Sequence, residues 1–472
     1  MDQNRSPLLE GLINHLAENY RSFHVPAHQG SRNMDKLLKI LLEDPCRFDL
    51  TELPGLDNLQ SPRGIIKESQ ALAAELFGAQ ETYFLVNGTT GGLLTMVNTV
   101  CRPGEKIIIP RQVHQAVFGG IITSGAVPVY ISSNLSPDEQ RIYNVSLSEV
   151  ERALEENPGA KALLVNNPTY YGVCADLLRI RELTSEREVM LLVDEAQGGH
   201  FTFHSEFPPG ASEAGADMWV QSTHKTLGSL TQSSMLHVGS SRVDRGRLMQ
   251  MLRIFQSTSP SYILLASLDA ARRQLAVKGS KLLDTTLRLA GKAREKAAKL
   301  GFILLTAQNK EFKLDITKLA LFTHNFSESG TEIASILREN YKIQAELYSG
   351  DHILFLLTLG HDEKDLKFLL DGLEKVRTGL NCIEREDKAD IKKILPPVPL
   401  QILTPGEAVN SEAEDIPLVE AEGRICAEIV NYFPPGVPLI LPGELITPEI
   451  LNYFMNRERE GAVLPQIKVV KL

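Results

Sequence analysis

The sequence predicts an α/β protein, with a large domain built on a mainly parallel sheet and a smaller α+β domain nearer the carboxyl terminus. From residue 61 onward, strand-like apolar runs alternate with helix-like stretches, which is the pattern of strands joined by helical crossovers. The strand-like runs are rich in Val, Ile and Leu, as in sheets that are covered on both faces. This pattern changes after residue 299, where the smaller domain is expected to begin.

Local signals define the elements of the large domain. Residues 8–20 are one short amphipathic segment and residues 23–30 read as a loop, so an arm is expected here rather than a core element. Ser61 is a plausible N-cap with Pro62 at the first helical position, and Gly78 is expected to end that helix. The strands predicted next cover residues 83–86, 106–109, 127–131, 163–165, 190–193 and 218–220, with helices after Gly88, at 113–122, at 147–155 and between 165 and 190.

The remainder of the chain predicts two further units, since 472 residues suggest two or three domains. Residues 302–305 and 353–357 look like strands of the smaller domain, after a basic helical stretch at 278–299. A proline-rich segment begins near Ile394 and an acidic one follows it, which is consistent with a linker and a terminal subdomain. The predicted domains are an arm and loop at 1–60, the large domain at 61–300, the small α+β domain at 301–395 and a C-terminal subdomain at 396–472.

Composition excludes several classes of function. The net charge of −10 and the lack of a long basic run argue against nucleic acid or an anionic membrane as a partner. No apolar run reaches the roughly 18 residues that a membrane span needs, and the first residues do not resemble a signal peptide. The five cysteines are odd in number and form no CxxC pair, which indicates reduced thiols rather than disulfides or a metal site. We therefore expect a cytoplasmic protein without a metal.

A carboxylate and a lysine follow two successive strand-like runs of the large domain. Asp194 ends the run at 190–193, and Lys225 lies in Ser222-Thr223-His224-Lys225 after the run at 218–220. In an open parallel sheet, the carboxyl ends of the strands face the ligand crevice. A lysine that bonds an aldehyde and a carboxylate that keeps a pyridine nitrogen protonated are the two requirements of a pyridoxal phosphate (PLP) site. Either residue alone reads more simply as a surface lysine or a helix-capping aspartate.

Small and hydroxylated residues near these two could bind the cofactor's phosphate. Gly88, Thr89 and Thr90 open a helix directly after a strand, and backbone N–H groups at such a helix N-terminus can bind an anion. Ser222 and His224, which flank the lysine on its own turn, could reach the same group. The spacing matches neither the P-loop nor the dinucleotide fingerprint, and an ordinary turn is the alternative.

Two further positions follow from their place in the chain. His114 comes after the strand at 106–109, where its flat imidazole could stack on the pyridine ring; the alternative is a water-exposed histidine at a helix start. The hydroxyl-rich segment 256–262 lies between two helices. It reads either as a capped loop or as a second phosphate contact.

Several short motifs stand in order along nearly the whole chain. They are Phe23-His24-Val25-Pro26-x-His28, residues 51–57, residues 85–90, residues 168–172, Asp194-Glu195-Ala196, residues 222–227, residues 257–262, and Pro434-Pro435-Gly436-Val437-Pro438 ahead of Pro442-Gly443-Glu444. Together they resemble the ornithine/lysine/arginine decarboxylases of the aspartate-aminotransferase fold (fold type I), in their short form without an N-terminal wing domain.

The resemblance implies a role for each candidate residue. Lys225 would be the Schiff-base lysine, Asp194 the partner of the pyridine nitrogen and His114 the stacking residue. The implied cofactor-binding residues are Gly88, Thr89, Thr90, Asp194, Ala196, Ser222, His224, Lys225 and Thr258. In such enzymes the loop that holds Thr258 reaches the neighbouring subunit's cofactor, so that a homodimer is the smallest unit expected.

The implied reaction is decarboxylation of arginine, lysine or ornithine to the corresponding amine, which feeds polyamine metabolism. An aminotransferase or lyase on the same fold stays open, because the bond held perpendicular to the ring decides among these reactions and the sequence does not reveal it. Glu444 is our candidate for meeting the substrate's distal charge, since a buried unpaired cation is costly. The alternative for Glu444 is a surface or helix-capping carboxylate.

Three glutamines depart from the family pattern. Gln29 and Gln115 stand where the family usually has lysine, and Gln197 stands where it usually has histidine in Asp-Glu-Ala-His. Glutamine keeps hydrogen bonding but carries no charge and transfers no proton. The sequence leaves three accounts open: drift in a tolerant subfamily, a changed substrate, or a weakly active PLP-binding paralogue.

Overall fold

The computed structural model describes residues 4–30, 32–131, 144–307, 311–382, 396–432, 437–458 and 466–471. The helices are α1 (Pro7–Ala17), α2 (Lys36–Glu43), α3 (Ile65–Phe77), α4 (Gly88–Val100), α5 (Gln115–Ser124), α6 (Leu147–Glu156), α7 (Leu177–Glu186), α8 (Thr223–Thr226), α9 (Arg245–Phe255), α10 (Tyr262–Lys299), α11 (Gly330–Tyr341), α12 (Glu363–Gly379), α13 (Pro405–Asn410) and α14 (Pro448–Glu458). The strands are β1 (Arg21–Phe23), β2 (Glu81–Leu85), β3 (Lys106–Pro110), β4 (Val127–Ile131), β5 (Ala162–Asn166), β6 (Val173–Cys174), β7 (Met190–Asp194), β8 (Met218–Gln221), β9 (Ser234–Val238), β10 (Ile303–Leu304), β11 (Lys313–Leu314), β12 (Lys318–Phe322), β13 (Ile343–Ala345), β14 (Leu347–Tyr348), β15 (His352–Leu356), β16 (Ala413–Pro417), β17 (Val430–Tyr432), β18 (Val437–Ile440) and β19 (Gln466–Val470).

A seven-stranded sheet forms the centre of the large domain, in the order β2-β9-β8-β7-β5-β3-β4. The neighbours from β8 through β7, β5 and β3 to β4 pair in parallel, whereas β9 is antiparallel to both β2 and β8. The predicted α/β class with a mainly parallel sheet is therefore confirmed. All six strands predicted for this domain are present, with ends that differ by at most two residues.

Helices cover both faces of this sheet. On β3, Ile107 and Ile109 pack into the cluster under α4, α5 and α9, and Ile108 packs into the cluster under α6 and α7. All three side chains are fully buried. Because successive side chains of a strand point to opposite faces, a run of isoleucines suits a strand that is covered on both sides.

The smaller domain is a four-stranded antiparallel sheet, β10-β12-β15-β14, which packs against α11, α12 and the end of α10. The 38-residue α10 belongs to two cores, since Leu265 and Leu283 pack in the large domain and Leu289 and Ala297 in the smaller one. The α+β character expected of this region is confirmed. The domain boundaries at residues 300 and 395 stay a prediction, and residue 395 lies outside the described residues.

The N-terminal segment differs from the expected arm and loop, because strand β1 and helix α2 both bury side chains, which are Leu38 and Leu41 in α2. Residues Arg21–Phe23 form strand β1, parallel to β13, and Phe23 is completely buried in the core of the small domain. By contrast, α1 buries none of its residues. The segment thus contributes Phe23 to the core. The sequence pattern did not reveal this, because a strand of three residues is too short to show an alternation of apolar and polar positions.

The helix expected to start at Pro62 starts at Ile65 instead. The carboxylate of Asp57 accepts hydrogen bonds from the backbone N–H groups of Arg63, Gly64, Ile66 and Lys67 at 2.7–3.3 Å, so the first turn is capped from outside the helix. The predicted end is confirmed, since Gly78 adopts φ +68° at the C-cap.

The C-terminal subdomain has a core of its own, formed by residues of β17, β18, α14 and β19. The Pro434-Pro435-Gly436 part of its motif and the expected start of the linker near Ile394 lie outside the described residues. Gly443 has φ +90°, and a Cβ there would meet the backbone oxygen of Leu403. Only glycine therefore suits this turn, which positions Glu444.

The described residues lack both a membrane-spanning helix and a metal-binding cluster. No helix there combines the length and the apolarity needed to cross a membrane. The same residues hold no group of three or more His, Cys, Asp or Glu side chains arranged to bind a metal ion.

His237 of β9 provides a pH-dependent contribution to stability. Its ring lies against Trp219 and Phe77, and its Nδ1 lies 2.8 Å from Thr82 Oγ1. Complete burial lowers the pKa of His237 from 6.5 to about 3. Between these values the unfolded chain binds the proton and the folded one does not, so the free energy of unfolding should fall by up to about 1.4 kcal/mol per pH unit on acidification.

We expect a His237→Gln variant to be less stable than the wild type at pH 7.5 but to lose less stability as the pH falls toward 4. Urea unfolding at several pH values measures both curves. Parallel curves for the two proteins would show that His237 does not titrate as its burial indicates.

Candidate active site

The carboxyl ends of β2, β8, β7, β5 and β3 open onto one cavity of about 520 Å³. Its lining includes nine of the predicted site residues: Gly88, Thr89, Thr90, His114, Asp194, Ala196, Ser222, His224 and Lys225. These residues come from four separate segments of the chain, and the sheet brings them together because the strands before them end at the same edge.

Lys225 lies on the single-turn helix α8, which starts directly after β8. Its side chain is half-buried in the cavity wall. Burial lowers the pKa of Lys225, while the negative charges of Asp194 and Glu346 act in the opposite direction. A lowered pKa increases the fraction of neutral amine, which is the nucleophilic form of a lysine.

Asp194 is the last residue of β7 and is 7% exposed. The backbone N–H of Ala196 donates to its Oδ1 at 3.1 Å. Burial raises the pKa of Asp194, and the nearby His114 and Lys225 lower it. A buried carboxylate of this kind attracts a positively charged or proton-carrying ring nitrogen.

The N-terminus of α4 is open toward the cavity. Asn87 occupies the N-cap position, but its side chain does not cap the helix and instead donates to the backbone oxygen of Phe255 at 3.1 Å. A Cβ on Gly92 would come within 2.5 Å of Val220 Cγ2, so the glycine allows α4 to pack closely on the sheet. The first N–H groups of the helix are thus free of a side-chain cap, which suits an anion.

Hydroxyl groups surround this helix end. Thr89 Oγ1 lies 2.6 Å from Ser222 Oγ and 2.8 Å from Ser234 Oγ. His224 Nδ1 lies 2.9 Å from the backbone oxygen of Ser233, and this contact holds the imidazole beside these three hydroxyl groups. Strands β8 and β9 and helix α4 therefore supply one polar pocket at the end of the cavity.

His114 is the N-cap of α5, and its Nδ1 accepts a hydrogen bond from the backbone N–H of Ala116 at 3.2 Å. A nitrogen that accepts carries no proton, so the ring is neutral in this geometry. Its surface is accessible from the cavity, yet the surrounding protein lowers the pKa of His114 by burial. The histidine thus presents a flat, uncharged ring to the cavity.

Sequence patterning missed the contribution of the small domain to this site. Glu346 follows β13, accepts a hydrogen bond from the backbone N–H of Val25 at 2.9 Å, and accepts another from the hydroxyl group of Tyr170, a cavity residue. Lys318, the first residue of β12, donates to Oε1 of Gln197 at 2.8 Å. The Pro168–Gly172 motif indicated Tyr170, but no signal in the sequence connects it with residues 150 or more positions away.

Two predicted site residues are not brought to the cavity within this chain. Thr258 lies on an exposed loop and does not line the cavity. The expectation for Glu444 is contradicted, because Glu444 is fully buried and both its carboxylate oxygens accept hydrogen bonds from Arg111, at 2.6 and 2.8 Å. A carboxylate already neutralised by an arginine cannot also meet a substrate's distal charge.

The three glutamines that depart from the family pattern occupy different environments. Gln197 lines the cavity, whereas Gln29 and Gln115 do not. Gln29 Nε2 donates to the backbone oxygens of His24 and Pro26, at 2.5 and 3.2 Å, and stabilises its own turn. Gln115 is exposed at the start of α5. Only the change at residue 197 therefore alters the wall of the cavity.

Comparisons with known proteins agree with this geometry. The family model described as "Orn/Lys/Arg decarboxylase, major domain" matches residues 6–313, and the one described as "Orn/Lys/Arg decarboxylase, C-terminal domain" matches residues 392–468. The chain is 40% identical to an arginine decarboxylase of Bacillus subtilis over 92% of its length and 90% of the relative's. It is 39% identical to an arginine decarboxylase of Bacillus cereus over 92% of its length and 96% of the relative's.

The fold is similar to that of a solved lysine decarboxylase from Pseudomonas aeruginosa. The TM-score is 0.78 at 21% identity, over 98% of this chain and 80% of the other. Two consecutive family models and relatives that match nine-tenths of the sequence thus agree with the fold, and the chain belongs to the Orn/Lys/Arg decarboxylase family.

Proposed function

We propose that this chain uses PLP to decarboxylate a basic amino acid, and that arginine is its substrate. The observation that carries the proposal is that the amine of Lys225 and the carboxylate of Asp194 lie in one cavity with an uncapped helix N-terminus. The two relatives named arginine decarboxylase, which match over nine-tenths of the chain, support arginine ahead of lysine and ornithine.

The residues present fit PLP. The open N-terminus of α4, with Thr89, Ser222 and His224 beside it, suits the phosphate, since it offers N–H and O–H donors to an anion. Asp194 would keep the ring nitrogen protonated, and Lys225 would bind the aldehyde. When bound, PLP supplies an electron sink for the bond that breaks at the substrate's α-carbon.

The chain's own groups would then hold the substrate and deliver a proton. Decarboxylation converts the α-carboxylate into CO₂ and forms a new C–H bond, so that one proton is consumed in each turnover. Lys225 would protonate the α-carbon through its Nζ, because burial lowers the pKa of this lysine and so eases the release of a proton. His114 would hold the ring in place as a flat, neutral partner.

A PLP-dependent aminotransferase or lyase on the same fold is the alternative reaction. A weakly active PLP-binding paralogue is the third account. It was suggested by the three glutamines, which replace residues that carry charge or transfer protons. The positions of Gln29 and Gln115 outside the cavity lining weaken that reason.

We also propose that the enzyme is a cytoplasmic homodimer whose amine product enters polyamine metabolism. The exposed position of Thr258, which does not line its own cavity, suits a residue that reaches a neighbouring subunit's cofactor. Large apolar side chains are exposed nearby in sequence, such as Ile254 at 61%, and a partner subunit would cover them. The five thiols are free, as is usual in a reducing compartment.

An assay with three substrates tests the reaction. The purified protein, loaded with PLP, is incubated with arginine, lysine and ornithine separately, and CO₂ and the amine product are measured. We expect stoichiometric CO₂ and amine from arginine and much slower release from the other two. A keto acid in place of CO₂ would instead support an aminotransferase, and PLP uptake without turnover would support an inactive paralogue.

A further inference from the structure

Lys318 is a buried cation whose hydrogen-bond partner is a neutral amide. It is 3% exposed, and its Nζ donates to Gln197 Oε1 at 2.8 Å. The two carboxylates whose charges act on Lys318 accept hydrogen bonds from other groups: Asp315 accepts from Thr317 Oγ1 at 2.6 Å, and Glu346 accepts from Tyr170 and Val25. The described residues therefore do not pair this ammonium directly with a carboxylate. A buried charge in this situation favours an anion nearby.

The ammonium decides which way the Gln197 amide points. A lysine ammonium has three donors and no acceptor, so the amide must turn its oxygen toward Lys318. The amide nitrogen, with its two N–H donors, then points away from Lys318. Gln197 lines the cavity and is 6% exposed, and its Nε2 has no acceptor among the residues that the structure describes.

We propose that Lys318 is a positioning residue, which fixes the Gln197 amide so that its N–H donors bind an anionic oxygen in the cavity, either of the cofactor or of the substrate's α-carboxylate. This inference rests on the proposed function and names a binding group for it. Lys318 itself does not line the cavity, so it acts through Gln197 and through its positive charge.

The same geometry accounts for glutamine in place of the histidine that the family usually has. A neutral imidazole has one accepting and one donating nitrogen, so it can accept from Lys318 and donate into the cavity in the same sense as the amide. A glutamate at this position would accept from Lys318 but would have no donor to offer, and a leucine would do neither. Comparing glutamine, histidine, glutamate and leucine at position 197 therefore tests the contact with Lys318 separately from the donor that faces the cavity.

The first experiment compares Gln197→Glu, Gln197→His and Gln197→Leu in the full-length protein. The thermal midpoint, the Kd for PLP from fluorescence titration, the absorbance spectrum of the PLP-loaded protein, and the KM for arginine are measured for each. We expect Gln197→Glu to keep or raise the midpoint, because its carboxylate pairs with Lys318, yet to weaken binding about ten- to a hundred-fold, the range expected for losing a hydrogen bond to a charged group. Gln197→His, whose neutral imidazole keeps one accepting and one donating nitrogen, should lose less binding than Gln197→Glu or Gln197→Leu.

The second experiment tests whether Lys318 acts through Gln197. Lys318→Met and Gln197→Leu are combined in a double-mutant cycle, with the same readouts. We expect each single change to weaken binding and the double variant to be no worse than either, because both remove the same oriented donor. If Lys318→Met does not fold, the Gln197 series alone decides, since Gln197→Glu keeps the buried cation paired.

The readouts also distinguish the two sources of the anionic oxygen. A changed Kd and spectrum for PLP would assign it to the cofactor, and a changed KM at constant PLP affinity would assign it to the substrate. Gln197→Glu with wild-type Kd, spectrum and KM, or additive effects in the cycle, would overturn the proposal. A wild-type protein that neither takes up PLP nor releases CO₂ would overturn the proposed function itself, and this inference with it.

Discussion

Replacing Lys225 with alanine should reduce turnover by several orders of magnitude and leave the fold intact. Without the ε-amino group the enzyme cannot bond the cofactor's aldehyde, and no base remains beside the α-carbon; lost proton transfer alone costs roughly 10²–10⁴-fold. Because Lys225 faces the cavity, its removal opens no gap in an apolar cluster. PLP would be held only by its phosphate and ring contacts.

Turnover of arginine, the thermal midpoint and the oligomeric state are measured for this variant. Lys281→Ala, which removes an exposed lysine on α10, is the matched control and should keep wild-type turnover. Borohydride reduction of the PLP-loaded wild type, followed by peptide mapping, gives a direct check. A pyridoxyl label on a lysine other than Lys225 would refute the assignment.

Replacing Arg111 with alanine should cost about 3–5 kcal/mol of unfolding free energy, the range measured when one partner of a buried ion pair is removed. Arg111 follows β3 and joins the large domain to the C-terminal subdomain, since it also donates to the backbone oxygen of Leu439 at 3.1 Å and lies over the ring of Tyr130. Burial already raises the pKa of Glu444 with Arg111 beside it. Without the arginine, this fully buried carboxylate would have no cation partner.

Urea unfolding of Arg111→Ala measures the loss. Arg152→Ala is the matched control, because Arg152 forms its ion pairs with Glu149 and Glu156 while 51% exposed, and its loss should destabilise the protein far less than Arg111→Ala. The double variant Arg111→Met, Glu444→Leu should recover much of the stability, since it leaves no buried charge. A cost below about 1 kcal/mol for Arg111→Ala would contradict the buried-pair account.

The large domain shows how far local pattern carries a prediction. Runs such as 106–109 and 127–131 were rich in Ile and Val and bounded by turn residues, so period and composition were enough to locate the strands. The ends of helices and strands were harder to predict wherever a side chain distant in sequence determines them. The start of α3 at Ile65 depends on the carboxylate of Asp57, and no rule based on Ser61 and Pro62 includes that contact.

In the candidate site, too, the residues at strand ends were predictable and the contacts between distant positions were not. Residues that follow directly from a strand end, such as Asp194 and Lys225, were predictable because the carboxyl edge of a parallel sheet collects them. Glu444 was predicted in the wrong environment, since the sequence does not reveal that Arg111, 333 positions earlier, is its partner.

The sequence alone determined the family and the α/β class and supplied the candidates for the groups that carry the chemistry, because each is recorded in local motifs and short-range periodicity. Only the tertiary structure decided how Lys318 orients Gln197, how Glu346 meets Tyr170, and which of the three glutamines borders the cavity. The physical reason is that these contacts join the large and small domains. A hydrogen bond depends on distances of about 3 Å between atoms, and positions more than a hundred residues apart reach that distance only once both cores have packed.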